Sequence, residues 1–256
     1  MSEFFIWEGV HQSFDQAEAE GPGFDGQVWR QRTGDAFVAA LSQWDNSGTV
    51  PDFIIDRGYQ LPVVMAAQLS VLKTRLRVLD VGGGLGTAWL AAASVLGGAM
   101  ERVDFQVMEV PNICAAAQQI FAGRTDTPGF VSDLPSACVD LIHAGSVVQY
   151  ISDWRSFIAA IARLAPATIL MSDMFAGPQP SFASRQNYYG SKIPHWFLNQ
   201  DEFMAEMDGR GYALLASTPY HARLLGRSGP LPMDNFPPQF RLKHTSHLLF
   251  ARKDND

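Results

Sequence analysis

The feature that most constrains the fold is a glycine-rich turn directly after an apolar run of strand length. The run covers residues 76–81, the glycines are Gly82, Gly84 and Gly86, and an alanine-rich stretch suited to a helix follows at 88–96. Glycine lets the backbone turn tightly and approach a ligand without a clash at Cβ. A strand, a bare turn and a helix in this order predict one unit of a parallel α/β sheet with a ligand at the turn.

The alternation of strands and helices continues over most of the chain. Further apolar runs of strand length lie at 104–109, 129–132, 139–144, 167–172, 212–217 and 247–251, and further helical stretches lie at 62–73, 111–121, 154–164 and 200–209. Asp153 and Asn199 precede two of these helices and are expected to cap them. Buried strands separated by helices predict a doubly wound, mostly parallel, seven-stranded α/β sheet of the Rossmann-like type.

Two segments do not follow this alternation. Residues 1–58 carry scattered aromatic side chains and glycines, and we expect them to form an N-terminal cap or lid on a domain covering residues 59–256. A polar and aromatic stretch at about 177–198 interrupts that domain. It is expected to be an insertion that covers the substrate.

Composition and charge exclude several classes of protein. The formal net charge is −7, which argues against a nucleic-acid partner because such binding depends on neutralising phosphates. No apolar run approaches the roughly 18 residues that a membrane span needs, so we expect no membrane association. The first residues, MSEFFIWEGV, are acidic where an export signal would be basic, which predicts a cytoplasmic protein.

Two carboxylates flank the glycine turn and restrict the charge of its ligand. Asp80 stands two residues before Gly82, and Glu109 ends the next strand. A carboxylate there repels a pyrophosphate and attracts a cation, and Thr87 stands where a dinucleotide-binding turn has its last glycine. S-adenosylmethionine carries a sulfonium and an ammonium group, has no phosphate, and offers two ribose hydroxyls to an acid such as Glu109. The turn therefore predicts S-adenosylmethionine as the cofactor.

Other cofactor contacts are expected at the carboxyl ends of the next strands, where ligands bind in open α/β sheets. Val110 follows the ribose-binding acid. Asp133 follows the third strand and is expected to accept a hydrogen bond from the adenine amino group, with a helix or turn cap as the alternative. Gly145 and Ser146 follow the fourth strand, and their small size leaves room for the methionyl part of the cofactor.

With these motifs, residues 75–175 resemble the cofactor half of the class I methyltransferases. The motifs that carry the resemblance are Asp80-Val-Gly-Gly-Gly-Leu-Gly86, Glu109 and the segment 139–153. The resemblance implies a class I fold and a methyl transfer from S-adenosylmethionine.

A narrower resemblance extends over nearly the whole chain. It rests on Trp7-Glu-Gly-Val, Gln149-Tyr-Ile, and the segment 193–199 followed by Gly211-Tyr. These segments are similar to a bacterial group of methyltransferases that occur among polysaccharide and natural-product genes. The likeness implies an oxygen or nitrogen of a small molecule as methyl acceptor and leaves its identity open.

Three residues are candidates for the chemical step. Methyl transfer from a sulfonium depends mainly on alignment, but an oxygen or nitrogen acceptor must also lose a proton. His143 ends the fourth strand, Tyr150 begins the turn after it, and His195 lies in the insertion. The alternatives are a buried core histidine for His143, simple packing for Tyr150 and a structural loop position for His195.

Four residues are candidates for binding the acceptor: Asp173, Arg185, Tyr189 and Trp196. Asp173 ends the fifth strand, and Arg185 is suited to a carboxylate, with a surface ion pair as its alternative. No His, Cys, Asp and Glu residues show convincing metal-ligand spacing, so we expect a metal-independent enzyme.

Two other functions remain open at this point. A nicotinamide-dependent oxidoreductase uses the same kind of sheet, although Asp80 and Thr87 disfavour it. A non-catalytic cofactor-binding module would use its aromatic segments as a protein interface. The sequence is compatible with a homodimer but does not establish one.

Overall fold

The computed structural model of the protein describes residues 4–58, 60–221, 224 and 229–253. The helices of this part are α1 (Gln27–Ser47), α2 (Asp52–Gly58), α3 (Gln60–Val71), α4 (Thr87–Leu96), α5 (Pro111–Ile120), α6 (Trp154–Ala162) and α7 (Gln200–Gly209). The strands are β1 (Trp7–His11), β2 (Leu76–Val81), β3 (Val103–Met108), β4 (Gly129–Val131), β5 (Leu141–Gly145), β6 (Thr168–Met174), β7 (Ala176–Gly177), β8 (Phe182–Tyr188), β9 (Ser191–Asn199), β10 (Tyr212–Tyr220) and β11 (Thr245–Arg252).

The larger of two sheets has seven strands in the order β10-β11-β6-β5-β2-β3-β4. Its pairs β2–β3, β2–β5 and β3–β4 are parallel, and β10–β11 is an antiparallel pair at one edge. Strand β2, which leads into the glycine turn, lies between two parallel neighbours and is almost entirely buried. The predicted mostly parallel, seven-stranded α/β fold is confirmed.

Local sequence signals located the ends of several elements correctly. Strand β2 has the predicted bounds. The Asp153 carboxylate accepts a hydrogen bond from the N–H of Ser156 at 3.0 Å, and Asn199 does the same for the N–H of Glu202 at 3.0 Å. Each cap satisfies a backbone donor that has no partner inside its helix, and this is why α6 and α7 begin where they do.

The segment 177–198 contains regular strands that the sequence did not reveal. Strands β8 and β9 form an antiparallel hairpin, and β1 and β7 complete a four-stranded sheet in the order β1-β8-β9-β7. Both faces of this sheet carry apolar or aromatic residues, so its strands lack the alternation that marks a half-exposed strand. The helix α1 was also missed, because its residues show no apolar stripe of helical period.

The chain divides into two compact units. We call Met1–Arg30, Ser146–Ala160 and Met171–Asp256 the aromatic unit, and Gln31–Gly145 with Ile161–Leu170 the turn unit. The proposed boundary at residue 58 between a cap and a cofactor domain stays a prediction.

The core of the aromatic unit is built around Trp7, whose side chain is fully buried. Its indole ring meets Phe175 at 5.6 Å and Phe197 at 5.5 Å between ring centroids, and Phe182 stacks on Phe197 at 4.8 Å. Burial of each such ring stabilises the fold by about 3 kcal/mol. Trp7, one of the scattered aromatic residues near the N-terminus, therefore belongs to a packed core.

The described helices include none with both the length and the apolar character that crossing a bilayer requires.

Candidate functional site

The glycine turn lies between β2 and α4 in the turn unit, and three of its backbone N–H groups have partners within the protein. The N–H of Gly82 donates to the last carbonyl of β3 at 2.9 Å, and that of Gly86 donates to the carbonyl three residues earlier at 3.1 Å. The N–H of Gly84 donates to Oε1 of Glu109 at 3.0 Å. These three hydrogen bonds fix the conformation of the turn and hold the Glu109 carboxylate against it.

Asp80 is held by a histidine on the neighbouring strand. Asp80 of β2 and His143 of β5 are register partners, and Asp80 Oδ1 lies 2.7 Å from His143 Nδ1. Both side chains are buried, with 1% of Asp80 and 3% of His143 exposed. The second carboxylate oxygen, Oδ2, is buried and has no hydrogen-bond partner among the described residues. A buried acceptor of this kind is rare in native proteins and is a site for a donor or a cation.

Two glycines make room for this pair. A Cβ on Gly83 would lie 2.1 Å from Asp80 Oδ2, and a Cβ on Gly145 would lie 2.8 Å from Cε1 of His143. Any side chain at either position would therefore collide with the pair. Gly145 leaves space for the His143 ring, and its expected contact with the cofactor stays a prediction. Gly83 was not predicted as a site residue.

Glu109 follows β3, and its carboxylate reaches the turn. Its Oε1 accepts the Gly84 N–H, and its Oε2 accepts the N–H of Val110 at 2.9 Å. Burial raises the pKa of this carboxyl; the two backbone hydrogen bonds act in the opposite direction, and the charge of Asp80 raises the pKa further. The turn is thus flanked by two carboxylates that repel each other, an arrangement that a cationic ligand would stabilise.

The two remaining cofactor candidates of the turn unit lie at its surface. The Val110 side chain is 50% exposed and precedes the first residue of α5. Asp133 is exposed and accepts a hydrogen bond from the Ser132 hydroxyl at 3.0 Å. Their contacts with a cofactor stay predictions.

In the aromatic unit, Ser146 and Asp173 form a strained, hydrogen-bonded pair. Their φ angles are 56° and 54°, values that non-glycine residues seldom adopt. The Ser146 hydroxyl donates to Asp173 Oδ2 at 2.9 Å, and the Ser146 N–H donates to the Ser172 carbonyl at 2.8 Å. Such backbone conformations cost on the order of 1 kcal/mol each and gather at functional sites, which makes this pair a candidate for ligand contact.

Three residues that were not predicted as site residues complete what we call the Ser146–Asp173 cluster. Thr245 donates to Asp173 Oδ1 at 2.6 Å, Gln149 donates to the Ser146 hydroxyl at 3.0 Å, and Nδ1 of His247 accepts the N–H of Asp173 at 3.3 Å. Thr245 and His247 are polar yet buried in β11. Three consecutive polar residues, Thr245, Ser246 and His247, at the start of a strand that continues with apolar residues were the available signal.

Tyr150 is fixed by one hydrogen bond and two aromatic contacts. Its hydroxyl donates to Gln186 Oε1 at 2.8 Å, and its ring meets Phe24 at 4.9 Å and His195 at 5.3 Å. Burial, assisted by nearby charges, raises the pKa of the phenol. At neutral pH this side chain therefore keeps its proton and acts as a hydrogen-bond donor.

His195 lies in a fully buried aromatic cage. Its ring is 5.7 Å from Trp7, 4.5 Å from Phe175 and 4.8 Å from Phe197, and 0% of the side chain is exposed. Neither ring nitrogen has a hydrogen-bond partner among the described residues. Burial lowers the pKa of the imidazole to about 3, so the ring is neutral at physiological pH. Its catalytic role stays a prediction.

The three other acceptor candidates lie on or next to the β8–β9 hairpin. Tyr189 stands in its turn with φ at 49°, is 45% exposed and meets the Tyr188 ring at 4.6 Å. The Trp196 indole donates to the Ser152 carbonyl at 3.2 Å. Arg185 donates no hydrogen bond to any described residue, and its Nε atom is buried.

Within each unit, the structure brings some of the predicted residues into contact. In the turn unit Asp80, His143, Glu109 and the glycines form one group. In the aromatic unit Tyr150 contacts His195, and Ser146 contacts Asp173.

Comparison with known proteins shows similarity at the level of the fold. No protein-family model matches the chain, and no curated protein matches it by sequence. Among solved structures, a S-adenosylmethionine-dependent methyltransferase from Clostridium acetobutylicum is 8% identical, with a TM-score of 0.53 over 87% of this chain and 100% of that chain.

A second similar structure is the 1,6-didemethyltoxoflavin-N1-methyltransferase of Burkholderia thailandensis, solved with bound 1,6-didemethyltoxoflavin and S-adenosylhomocysteine. It is 13% identical, with a TM-score of 0.50 over 88% of this chain and 90% of that chain. The protein therefore has the Rossmann-like fold of class I methyltransferases, and at these identities the similarity extends to the fold alone.

Proposed function

We propose that this protein transfers the methyl group of S-adenosylmethionine to an oxygen or nitrogen of a small molecule. The observation that carries the proposal is the charge at the glycine turn. Asp80 keeps one buried carboxylate oxygen without a hydrogen-bond partner among the described residues, and Glu109 holds a second carboxylate at the same turn. A site with two carboxylates fits a cationic ligand and disfavours a pyrophosphate.

The residues of the turn unit fit this cofactor in chemical type. Glu109 offers two carboxylate oxygens to the ribose hydroxyls, and Asp80 supplies negative charge for the cationic groups. The other contacts proposed in this unit are Gly82, Gly84, Gly86, Val110, Asp133 and Gly145. When bound, the cofactor supplies an electrophilic methyl group on a positively charged sulfur.

The environments of the catalytic candidates suggest different tasks for them. His143 holds the Asp80 carboxylate, so we assign it a positioning role. Tyr150 keeps its proton and serves as a donor. The Asp173 carboxylate, held by Ser146 and Thr245, is suited to orient an acceptor or to accept its proton. His195 stays a candidate base whose low pKa makes it weak at neutral pH.

Several finer features belong to the same proposal. They are a cap at residues 1–58 on a domain at 59–256, a substrate-covering insertion at about 177–198, a role in natural-product or saccharide biosynthesis, a cytoplasmic location, metal independence and a possible homodimer. The Burkholderia thailandensis protein of similar fold, which by its name methylates a nitrogen of a small molecule, supports an acceptor of that class.

Ligand binding and product mass test the proposal. Calorimetry with S-adenosylhomocysteine is expected to show one site, whereas NADH at the same concentration is expected to show none. Incubation with S-adenosylmethionine and candidate acceptors is expected to give products heavier by one methyl group. Tight binding of NADH without binding of S-adenosylhomocysteine would favour the oxidoreductase, and cofactor binding without any methylated product would favour a non-catalytic module.

A further inference from the structure

One face of the four-stranded sheet, within the aromatic unit, carries a concentration of polar groups. Directly opposed residues of antiparallel strands share a face. The register pairs Glu8 with Arg185, His11 with Ala183, and Ala183 with Trp196. The same face therefore presents an arginine, a histidine and a tryptophan, while the opposite face packs Trp7 and Phe197 into the core.

Arg185 has no hydrogen-bond partner among the described residues of this face. Its guanidinium donates no hydrogen bond to any described residue and lies in no ion pair there, although its Nε is buried. Burying a charged N–H group without an acceptor costs more free energy than burying a neutral one, and native proteins rarely contain such an unpaired group. The guanidinium fork matches the two oxygens of a carboxylate, which makes an anion the natural partner.

The nearest candidate partner within the sheet is already engaged. Glu8 accepts a hydrogen bond from the Asn187 amide at 2.8 Å and one from Lys192 Nζ at 3.3 Å. The hydrogen bond from Asn187, and to a smaller extent Lys192 and Arg185, lower the pKa of Glu8. Glu8 thus forms its ion pair with Lys192, and its charge acts on Arg185 without a hydrogen bond or a close ion pair between the two.

A second unpartnered polar atom lies on the same face. Nε2 of His11 is buried and has no hydrogen-bond partner among the described residues. His11 is opposed to Ala183, two residues from Arg185 along β8, which is a diagonal separation of roughly 7–8 Å between backbone positions. That distance is within reach of two long side chains that share one ligand.

We propose that Arg185 and His11 bind the carboxylate of an organic acid, and that this acid is the methyl acceptor. The identification as acceptor rests on the proposed methyltransferase function, whereas the anion site does not. The single charge of one guanidinium matches a monoanionic carboxylate better than a phosphate dianion. The Trp196 ring on the same face, which contacts Phe14 at 5.8 Å, offers an apolar surface to the body of a flat acid.

The anion site is tested by NMR of arginine side chains with sodium benzoate as probe. The buried Nε–H of Arg185 is assigned by its loss in Arg185→Lys. We expect benzoate to shift this resonance saturably and the neutral isostere benzamide to leave it unchanged. The Nε–H of Arg241, which donates to the Phe236 carbonyl at 2.7 Å, is the internal control and should not move.

The outcomes of this titration separate the possibilities. No shift at Arg185, or equal shifts at Arg185 and Arg241, would overturn the anion site. Saturable binding of inorganic phosphate that is tighter than that of benzoate would overturn the carboxylate assignment. A His11→Phe variant is expected to weaken benzoate binding severalfold, and unchanged affinity would remove His11 from the site.

The acceptor assignment is tested with pairs of acceptors that differ only as acid and amide. Wild type is expected to methylate the acid preferentially, and Arg185→Gln is expected to lose this preference while binding S-adenosylhomocysteine as before. Arg210→Gln is the control, because it removes an equal charge from the exposed i,i+4 pair with Glu206 of α7, and this variant should still prefer the acid. If wild type methylates the amide in preference to the acid, the acceptor assignment is overturned. If wild type does not bind S-adenosylhomocysteine, the proposed function is overturned, and the benzoate titration alone decides whether the anion site exists.

Discussion

The carboxylate of Asp80 and the imidazole of His143 are joined by a buried 2.7 Å contact between register partners of two parallel strands. Asp80 is the next-to-last residue of β2, and His143 is the middle residue of β5. His143 orients one oxygen of Asp80, and the other oxygen remains for a ligand. A histidine that looked like a possible base from its sequence position is thus engaged by a neighbouring acid.

We first predict that Asp80 and His143 act as one unit in stability. Asp80→Asn and His143→Phe are each expected to lower the free energy of unfolding by about 1–3 kcal/mol, because each leaves a buried partner unsatisfied. The double variant should lose clearly less than the sum of the two. Urea unfolding of the four proteins measures this coupling, and strictly additive losses would contradict it.

The second prediction concerns Gly83, whose missing side chain leaves room for the Asp80 carboxylate. Gly83→Ala is expected to displace the carboxylate and weaken S-adenosylhomocysteine binding by about tenfold or more, since its Cβ would lie 2.1 Å from Oδ2. Gly98→Ala is the control, because its Cβ would meet nothing within 4 Å. Calorimetry compares the two variants, and equal affinities would show that the position of Asp80 does not matter for the ligand.

Third, Glu109 is expected to give both stability and binding a pH dependence. Its raised pKa means that the folded protein holds this proton more tightly than the unfolded chain. The stabilisation by the protonated carboxyl is fully present below the unfolded pKa of 4.5 and is lost as pH rises through the folded pKa. Cofactor binding should strengthen over the same rise, because the ribose hydroxyls need an ionised acceptor.

Glu109→Gln tests this prediction. The variant is expected to lack both pH effects and to bind S-adenosylhomocysteine about tenfold more weakly at neutral pH, since it replaces a charged acceptor. Glu101→Gln, an exposed acid of the same unit, serves as control. A wild-type pH profile in Glu109→Gln would assign the dependence to another group.

Fourth, His195 is expected to make the fold sensitive to acid. Its pKa falls from 6.5 in the unfolded chain to about 3 in the folded protein, so the unfolded chain binds more protons between these values. Stability should therefore be complete above pH 6.5 and fall as pH decreases toward 3, by up to about 1.4 kcal/mol per pH unit.

The variant His195→Phe keeps an aromatic ring in the cage and should flatten this part of the profile. Thermal unfolding across the pH range measures the difference from wild type. His244→Phe, a substitution at a partly exposed histidine, should leave the slope in place. An unchanged slope in His195→Phe would show that the ring is hydrated or paired in solution.

Fifth, the strained backbone conformation of Ser146 is expected to lower the stability of the fold, and its side chain is expected to contribute to methyl transfer. Ser146→Gly relieves a φ of 56° and should raise the free energy of unfolding by up to about 1 kcal/mol, while removal of the hydroxyl that holds Asp173 should lower methyl transfer. Ala165→Gly relieves a similar φ of 50° away from the cluster and should stabilise without loss of turnover. A fully active Ser146→Gly would remove the cluster from the mechanism.

Much of the turn unit was predictable because its signals are local. The apolar run of β2, the glycines after it and the helix that follows specify a strand, a turn and a helix within about 20 residues. Asp153 and Asn199 marked helix starts for the same reason, since a cap acts on donors only two or three residues away. The acids at Asp80 and Glu109 could be related because neighbouring parallel strands bring their carboxyl ends to the same edge.

The aromatic unit was much less predictable because its contacts join distant parts of the chain. Trp7 packs against Phe175 and Phe197, and β1 pairs with β8, although more than 160 residues separate them. No period within the first 30 residues indicates such a partner.

By itself, the sequence determined the alternating strands and helices, the glycine turn and the charge beside it, because each follows from residues close together in the chain. Only the tertiary structure decided that His143 holds Asp80, that His195 is enclosed by aromatic rings, and that Arg185 donates no hydrogen bond to any described residue. Burial and hydrogen-bond partners depend on which distant segments meet in space, and the spacing of residues along the chain does not encode that directly.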